Sequence, residues 1–119
     1  NGSAGVAIVL ADRAAIFERG MAAEEQALFQ EARALVLDGR VSLFLVNFGD
    51  ASARFTRAGE VVERLQSRLR EAGQAERAGR LEIARAQLKD AQRLAVSVDQ
   101  AAQNAASEAL KAIDGAGGK

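Results

Sequence analysis

Phe44, Phe48, Ala51, Phe55, Ala58, Val62, Leu65, Leu69 and Ala72 follow one another at alternating spacings of four and three residues. A second run of the same period passes through Leu81, Ala84, Leu88, Ala91, Ala95, Val98, Ala102, Ala105, Ala109 and Ala112. Apolar residues so spaced form the seam along which one α-helix packs beside another, a period that strands do not share. Two sustained seams therefore restrict the chain to long helices lying side by side. The composition agrees. Among 119 residues there is no proline, alanine dominates, and the only aromatics are five phenylalanines. Ala, Leu, Arg, Glu and Gln are strong helix formers, whereas a sandwich or barrel would draw on Val, Ile, Tyr and Trp in alternation.

The chain has neither cysteine nor histidine. Zinc, copper and haem sites lose their usual ligands, and cysteine–histidine or serine–histidine catalysis cannot be assembled. A histidine phosphotransfer bundle is excluded, and so is the Glu-x-x-His pair of a di-iron bundle. No cofactor is expected. Sixteen basic and sixteen acidic residues cancel, so no overall field favours nucleic acid. Along the chain the charge is uneven: residues 1–38 carry −3, 39–73 carry +2 and the rest +1. The first segment can thus pack against the other two without repulsion.

Residues 6–11 (VAIVLA) are apolar but too few to span a bilayer, which takes about 20 residues, and no basic segment precedes them as in a signal peptide. They read as a buried first helical turn, or as the lower end of a helix emerging from a membrane. Ala7, Leu10, Ala14, Phe17, Met21, Leu28 and Leu35 continue the seam spacing, with Glu24 and Glu31 in two apolar slots. Carboxylates are costly in a buried seam, so there the seam drifts onto Ala27 and Ala32 or meets solvent. Residues 36–48 are ambiguous. Asp38-Gly39 between apolar runs is a hairpin-turn signal, but a lone two-stranded hairpin is marginal and the heptad phase extends back to Val41. Gly49-Asp50 is the better break, with Gly at a helix C-terminus and Asp as the next N-cap.

The resulting expectation is an all-α fold in one domain over 1–119. It is an elongated up-down antiparallel bundle of three long helices, at about 4–48, 51–72 and 75–113, with a flexible tail at 114–119. Alanines along the third helix bury little area per layer, so oligomerisation, a dimer or more, is expected to complete the bundle.

No nucleophile–base pair is visible, and Gly115 to Gly118 lack the strand and helix of a phosphate loop. The protein is expected not to be an enzyme. Arg33, Arg40, Asn47 and Arg54 recur every seven residues beside the apolar seam. Arg40, Asn47 and Arg54 are therefore candidate ligand-binding residues, because the guanidinium fork suits carboxylates. The competing reading is ordinary flanking residues that pair with Glu across helices. The apolar segment Val41–Phe48 also reads as a candidate membrane-inserting tip.

Taken together, Arg40-x-x-Leu43-Phe44-Leu45-x-Asn47-Phe48-Gly49-Asp50, then Phe55 and the seam through Val62, Leu65 and Leu69, followed by Leu81-x-x-Ala84-x-x-x-Leu88, resembles a known pattern. It is similar to the membrane-distal part of extracytoplasmic four-helix-bundle sensor domains in bacterial chemoreceptors and histidine kinases, over roughly residues 33–95. The resemblance implies signal transduction, as in chemotaxis, through a small anionic ligand or partner protein bound between helices of a dimer. It also implies a periplasmic location within an inner-membrane protein, with membrane contact only through flanking segments absent from this chain. Those domains have a fourth helix returning to the membrane. Three helices do not supply one, unless the third is broken near Ser97-Val98-Asp99. The alternative is a structural or scaffold coiled-coil protein, such as a periplasmic lipoprotein or assembly subunit.

Overall fold

The computed structural model describes residues 2–117, with side chains from residue 23 onward. Four helices follow one another: α1 (Gly2–Phe44), α2 (Phe48–Glu71), α3 (Ala75–Val96) and α4 (Ala102–Ala116). No strand occurs among the described residues, so residues 36–44 are helix and the hairpin alternative is not realised. Ala7, Leu10, Ala14, Phe17, Met21 and the 6–11 segment lie outside the described side chains.

The expected third helix is two helices, and the bundle has four rather than three. Its expected span, 75–113, is interrupted by a turn after Val96. Ser97 and Val98 continue the backbone hydrogen bonding back to Arg93 and Ala95, and the Asp99 amide then donates to Leu94 O at 2.8 Å. That six-to-one bond, with Val98 in the left-handed region at φ 57°, is a Schellman ending. Asp99 Oδ1 accepts from the Ala101 amide at 2.9 Å and opens the next helix. The interruption is silent in the heptad pattern. Ala95, Val98 and Ala102 keep three–four spacing across the turn, although Val98 is 66% exposed.

The first turn is likewise displaced. It lies at Leu45–Asn47 rather than at Gly49-Asp50. Val46 takes the left-handed position at φ 61°, and the Asn47 amide reaches back to Ser42 O. Asn47 is the N-cap, accepting from the Asp50 amide. Asp50 is therefore inside the first turn of α2, where a carboxylate complements the helix dipole, and it accepts the Ser42 hydroxyl. Only the middle turn uses glycine, with Gly73 at φ 76°.

Each helix packs against its sequence neighbours, and α4 closes against α1. Glu24 pairs with Arg68 across α1–α2, Glu63 with Arg85 across α2–α3, and Arg33 with Asp114 across α1–α4. The order is up-down-up-down. The core follows the expected seams: Ala51, Phe55, Ala58, Val62, Leu65 and Leu69 from α2, and Leu81, Ala84, Leu88, Ala91 and Ala95 from α3. Ala102, Ala105 and Ala109 continue it on α4, joined by Ala106, Ile113 and Ala116. Phe44 and Ala72, the ends of the first seam, are exposed instead. In α1 the seam passes onto Ala32, Val36 and Leu43; Ala27 and Glu24 face solvent. Because α4 covers the alanines, the bare Ala seam that called for oligomerisation is met within the chain.

Two close fits fix the register. Gly39 lies where a Cβ would come 2.5 Å from Phe55 Cε1, so α1 and α2 approach over a bare backbone. Gln66, which the heptad phase places on the surface, is 1% exposed. Its Nε2 donates to Ala78 O at 2.9 Å and to Glu82 Oε1 at 2.8 Å. A helix flanked by two others buries a wider stripe than a two-helix seam, which brings in Val61 and Gln66.

Candidate functional site

The polar stripe expected to bind a ligand is divided by the fold. Arg40, on α1, faces α4: its Nε donates to Gln103 Oε1 at 3.2 Å, and Gln103 Nε2 donates back to Arg40 O at 3.0 Å. Asn47 caps α2. Arg54 lies across the α1–α2 groove between two carboxylates, Asp38 at 3.8 Å and Asp50 at 3.6 Å. These ion pairs are longer than a hydrogen bond, and all three side chains are partly exposed. Arg33 completes the stripe at a distance, bonded to Asp114. The structure therefore brings Asn47 and Arg54 together around Asp50 and sets Arg40 on a different seam.

A second polar centre, which the heptad reading passed over, sits at the opposite end. Arg77 Nε donates to Ala116 O at 3.1 Å, and its NH1 donates to Gln74 Oε1. The guanidinium lies over the Phe29 ring at 5.4 Å, a cation–π distance. It also stands 3.8 Å from the buried Glu25 carboxylate. One side chain thus ties α1, the start of α3 and the last carbonyls of α4, where a cation complements the helix dipole. Sequence offers a weak cue only, an Arg in the first turn of a helix.

Between α2 and α3 lies an open groove of about 440 Å³. Gly59 and Ala86 leave it vacant, and Glu63, Glu82, Arg85 and Lys89 line its walls. Arg85 bonds both Glu63 and Glu82. The amide of Gln66, and after it Arg85 and Arg70, hold the Glu82 carboxyl below the ordinary value of 4.5. Arg85 thus bridges the two walls of the groove.

Among the described residues no cluster of three His, Cys, Asp or Glu could hold a metal ion. No described helix is long and apolar enough to cross a membrane. A further feature is the end of the bundle carrying the α1–α2 and α3–α4 turns. Val41 and Phe44 at the end of α1 with Leu45 and Val46 after it, and Val96 at the end of α3 with Val98 after it, are all exposed there. Gln100 Nε2 donates to Leu43 O at 3.3 Å and holds the two turns side by side. The first group was legible as an apolar run; the second was hidden by the seam phase. No family model, curated protein or solved structure matches the chain.

Proposed function

We propose that the chain is a non-enzymatic helical-bundle domain of the sensor and signal-transduction type, part of an extracytoplasmic receptor of the chemotaxis or histidine-kinase kind. The observation that supports this reading is the even number of helices. The turn at Ser97–Ala101 supplies the returning helix that the resemblance requires, so α4 finishes at the end from which α1 arrives. There α1 and α4 are neighbours, joined by Arg33–Asp114 and by Arg77. A disturbance of one helix is therefore felt by the other where both leave the bundle. A dimeric receptor in the periplasm, a rod-like arrangement and a small anionic ligand belong to the same reading.

Arg54 has the best claim on such a ligand. Its guanidinium is partly exposed, and its two carboxylate partners are too distant for direct hydrogen bonds, so an organic anion can compete with Asp38 and Asp50. A thermal-shift screen of amino acids, dicarboxylates and other organic acids tests this. A ligand that binds only the folded state raises the melting temperature by mass action, and Arg54→Ala should remove that gain without lowering the unliganded melting temperature. A screen without hits would favour the scaffold reading, which the internal bonds of Arg40 and Asn47 already support: the first ties α1 to α4 and the second caps α2.

A further inference from the structure

Seven large apolar side chains are exposed among the described residues, and six of them stand at one end of the bundle: Val41, Phe44, Leu45, Val46, Val96 and Val98. Phe44 is 81% exposed. Residues 41–49 and 94–98 contain no charged residue. Asp99, the one carboxylate in the second turn, is exposed and engaged with the Ala101 amide. One helical turn below the apex come Arg40 on α1, bonded to Gln103, and Arg93 on α3, beside Asp90; the partly exposed Asp50 carboxylate accepts from Ser42 at the same end.

The residue types at the apex are not explained by folding. Val46 and Val98 occupy left-handed positions, where a β-branched side chain is strained and glycine is free. Neither valine gains burial in return. We propose that this end of the bundle inserts its apolar side chains into the hydrocarbon margin of a lipid bilayer, with Arg40 and Arg93 at the level of the phosphates. A second copy or a protein partner fits less well. The bundle is about 22 by 20 Å across, so an end-on contact covers about half of the roughly 800 Å² per partner of a standard stable interface. Partition into a bilayer has no such threshold, since each buried side chain contributes by its own area.

Insertion of the apex does not depend on the sensor reading. The apex lies opposite the end where α1 arrives and α4 finishes, so in that reading the bilayer it meets is a second one, facing the first across the bundle.

The chain lacks tryptophan and tyrosine, which allows a single reporter. Phe44→Trp places one at the apex, and Ile83→Trp places one on the exposed flank of α3. With phosphatidylcholine vesicles, emission from the apex reporter should shift to the blue and saturate, unchanged by high salt, while the flank reporter stays put. Adding Val46→Gly and Val98→Gly to Phe44→Trp should weaken the apparent lipid affinity roughly tenfold or more without lowering the melting temperature, which separates loss of insertion from loss of fold. No shift at the apex overturns the proposal, as does an equal shift at both reporters. Binding confined to phosphatidylglycerol-containing vesicles and abolished by salt also overturns it, as charge adsorption. A lipid-free blue shift that grows with protein concentration and doubles the mass in light scattering overturns it in favour of a second copy.

Discussion

Gly39 and Gln66 are the residues whose roles depend most on neighbours remote in sequence. Helix propensity alone would have Gly39→Ala stabilise α1 by about 1 kcal/mol. The Phe55 ring beneath it is fully buried and cannot withdraw, so the substitution is expected to cost about 1–3 kcal/mol through overpacking. Gly79, also helical but with open space at its Cβ, should show the opposite sign, Gly79→Ala gaining about 0.5–1 kcal/mol. Denaturant unfolding of the two variants measures both, and Phe55→Leu should recover part of the Gly39→Ala loss. Leu65→Ala should lose roughly 2–5 kcal/mol, as a truncated core leucine does. Its neighbour, a surface position by heptad phase, is buried and doubly bonded, so Gln66→Ala is expected to cost roughly 1–3 kcal/mol. The same change should raise the Glu82 pKa toward 4.5, because the Gln66 amide is the first cause of its depression. A carboxyl with a lowered native pKa contributes stability that is complete above its unfolded value and lost as pH falls through the native one. The Glu82 contribution should therefore fade below pH 4.5, and carboxyl-resolved NMR titration of the parent and Gln66→Ala follows it directly.

At the scale of the elements, the three turns share one hydrogen-bonding scheme and differ in the residue that carries the strain. Val98→Gly and Val46→Gly each release a left-handed β-branched residue, a strain of about 1–2 kcal/mol, against the entropy of an added glycine of about 0.5–1 kcal/mol. Each should therefore leave the protein unchanged or more stable by up to about 1.5 kcal/mol. Gly73→Ala, at the turn that already has glycine, should destabilise it; calorimetry on the three variants tests the ranking. The same chemistry explains what could be read in advance. The seams on α2 and α3 were legible because their periodicity reflects burial directly. Their ends were not, because glycine marks only one of the three helix endings, and the five residues between Val96 and Ala102 preserve the heptad phase by their number. Asn47 stood out as a polar position beside the seam, and its oxygen is used by the backbone of α2. Arg40 and Arg54 share a stripe in sequence and part company across a turn whose left-handed residue, Val46, comes three residues earlier than Gly49.

For the molecule as a whole, closure depends on α4. Its buried face, Ala102, Ala105, Ala106, Ala109, Ile113 and Ala116, is small but covers the inner sides of both α1 and α3. Removal of residues 97–119 should broaden the thermal transition seen by circular dichroism and promote self-association in light scattering, since the uncovered alanine seam then seeks a partner. Three of the four seams join helices consecutive in the chain. The fourth joins ends far apart: Arg33 and Asp114 are separated by 81 residues. Closing so long a loop costs more entropy than closing a hairpin, and local contacts form fast. The α1–α2, α2–α3 and α3–α4 pairs can therefore each begin to form alone, whereas the α1–α4 seam must wait until the other three hold its two sides in place.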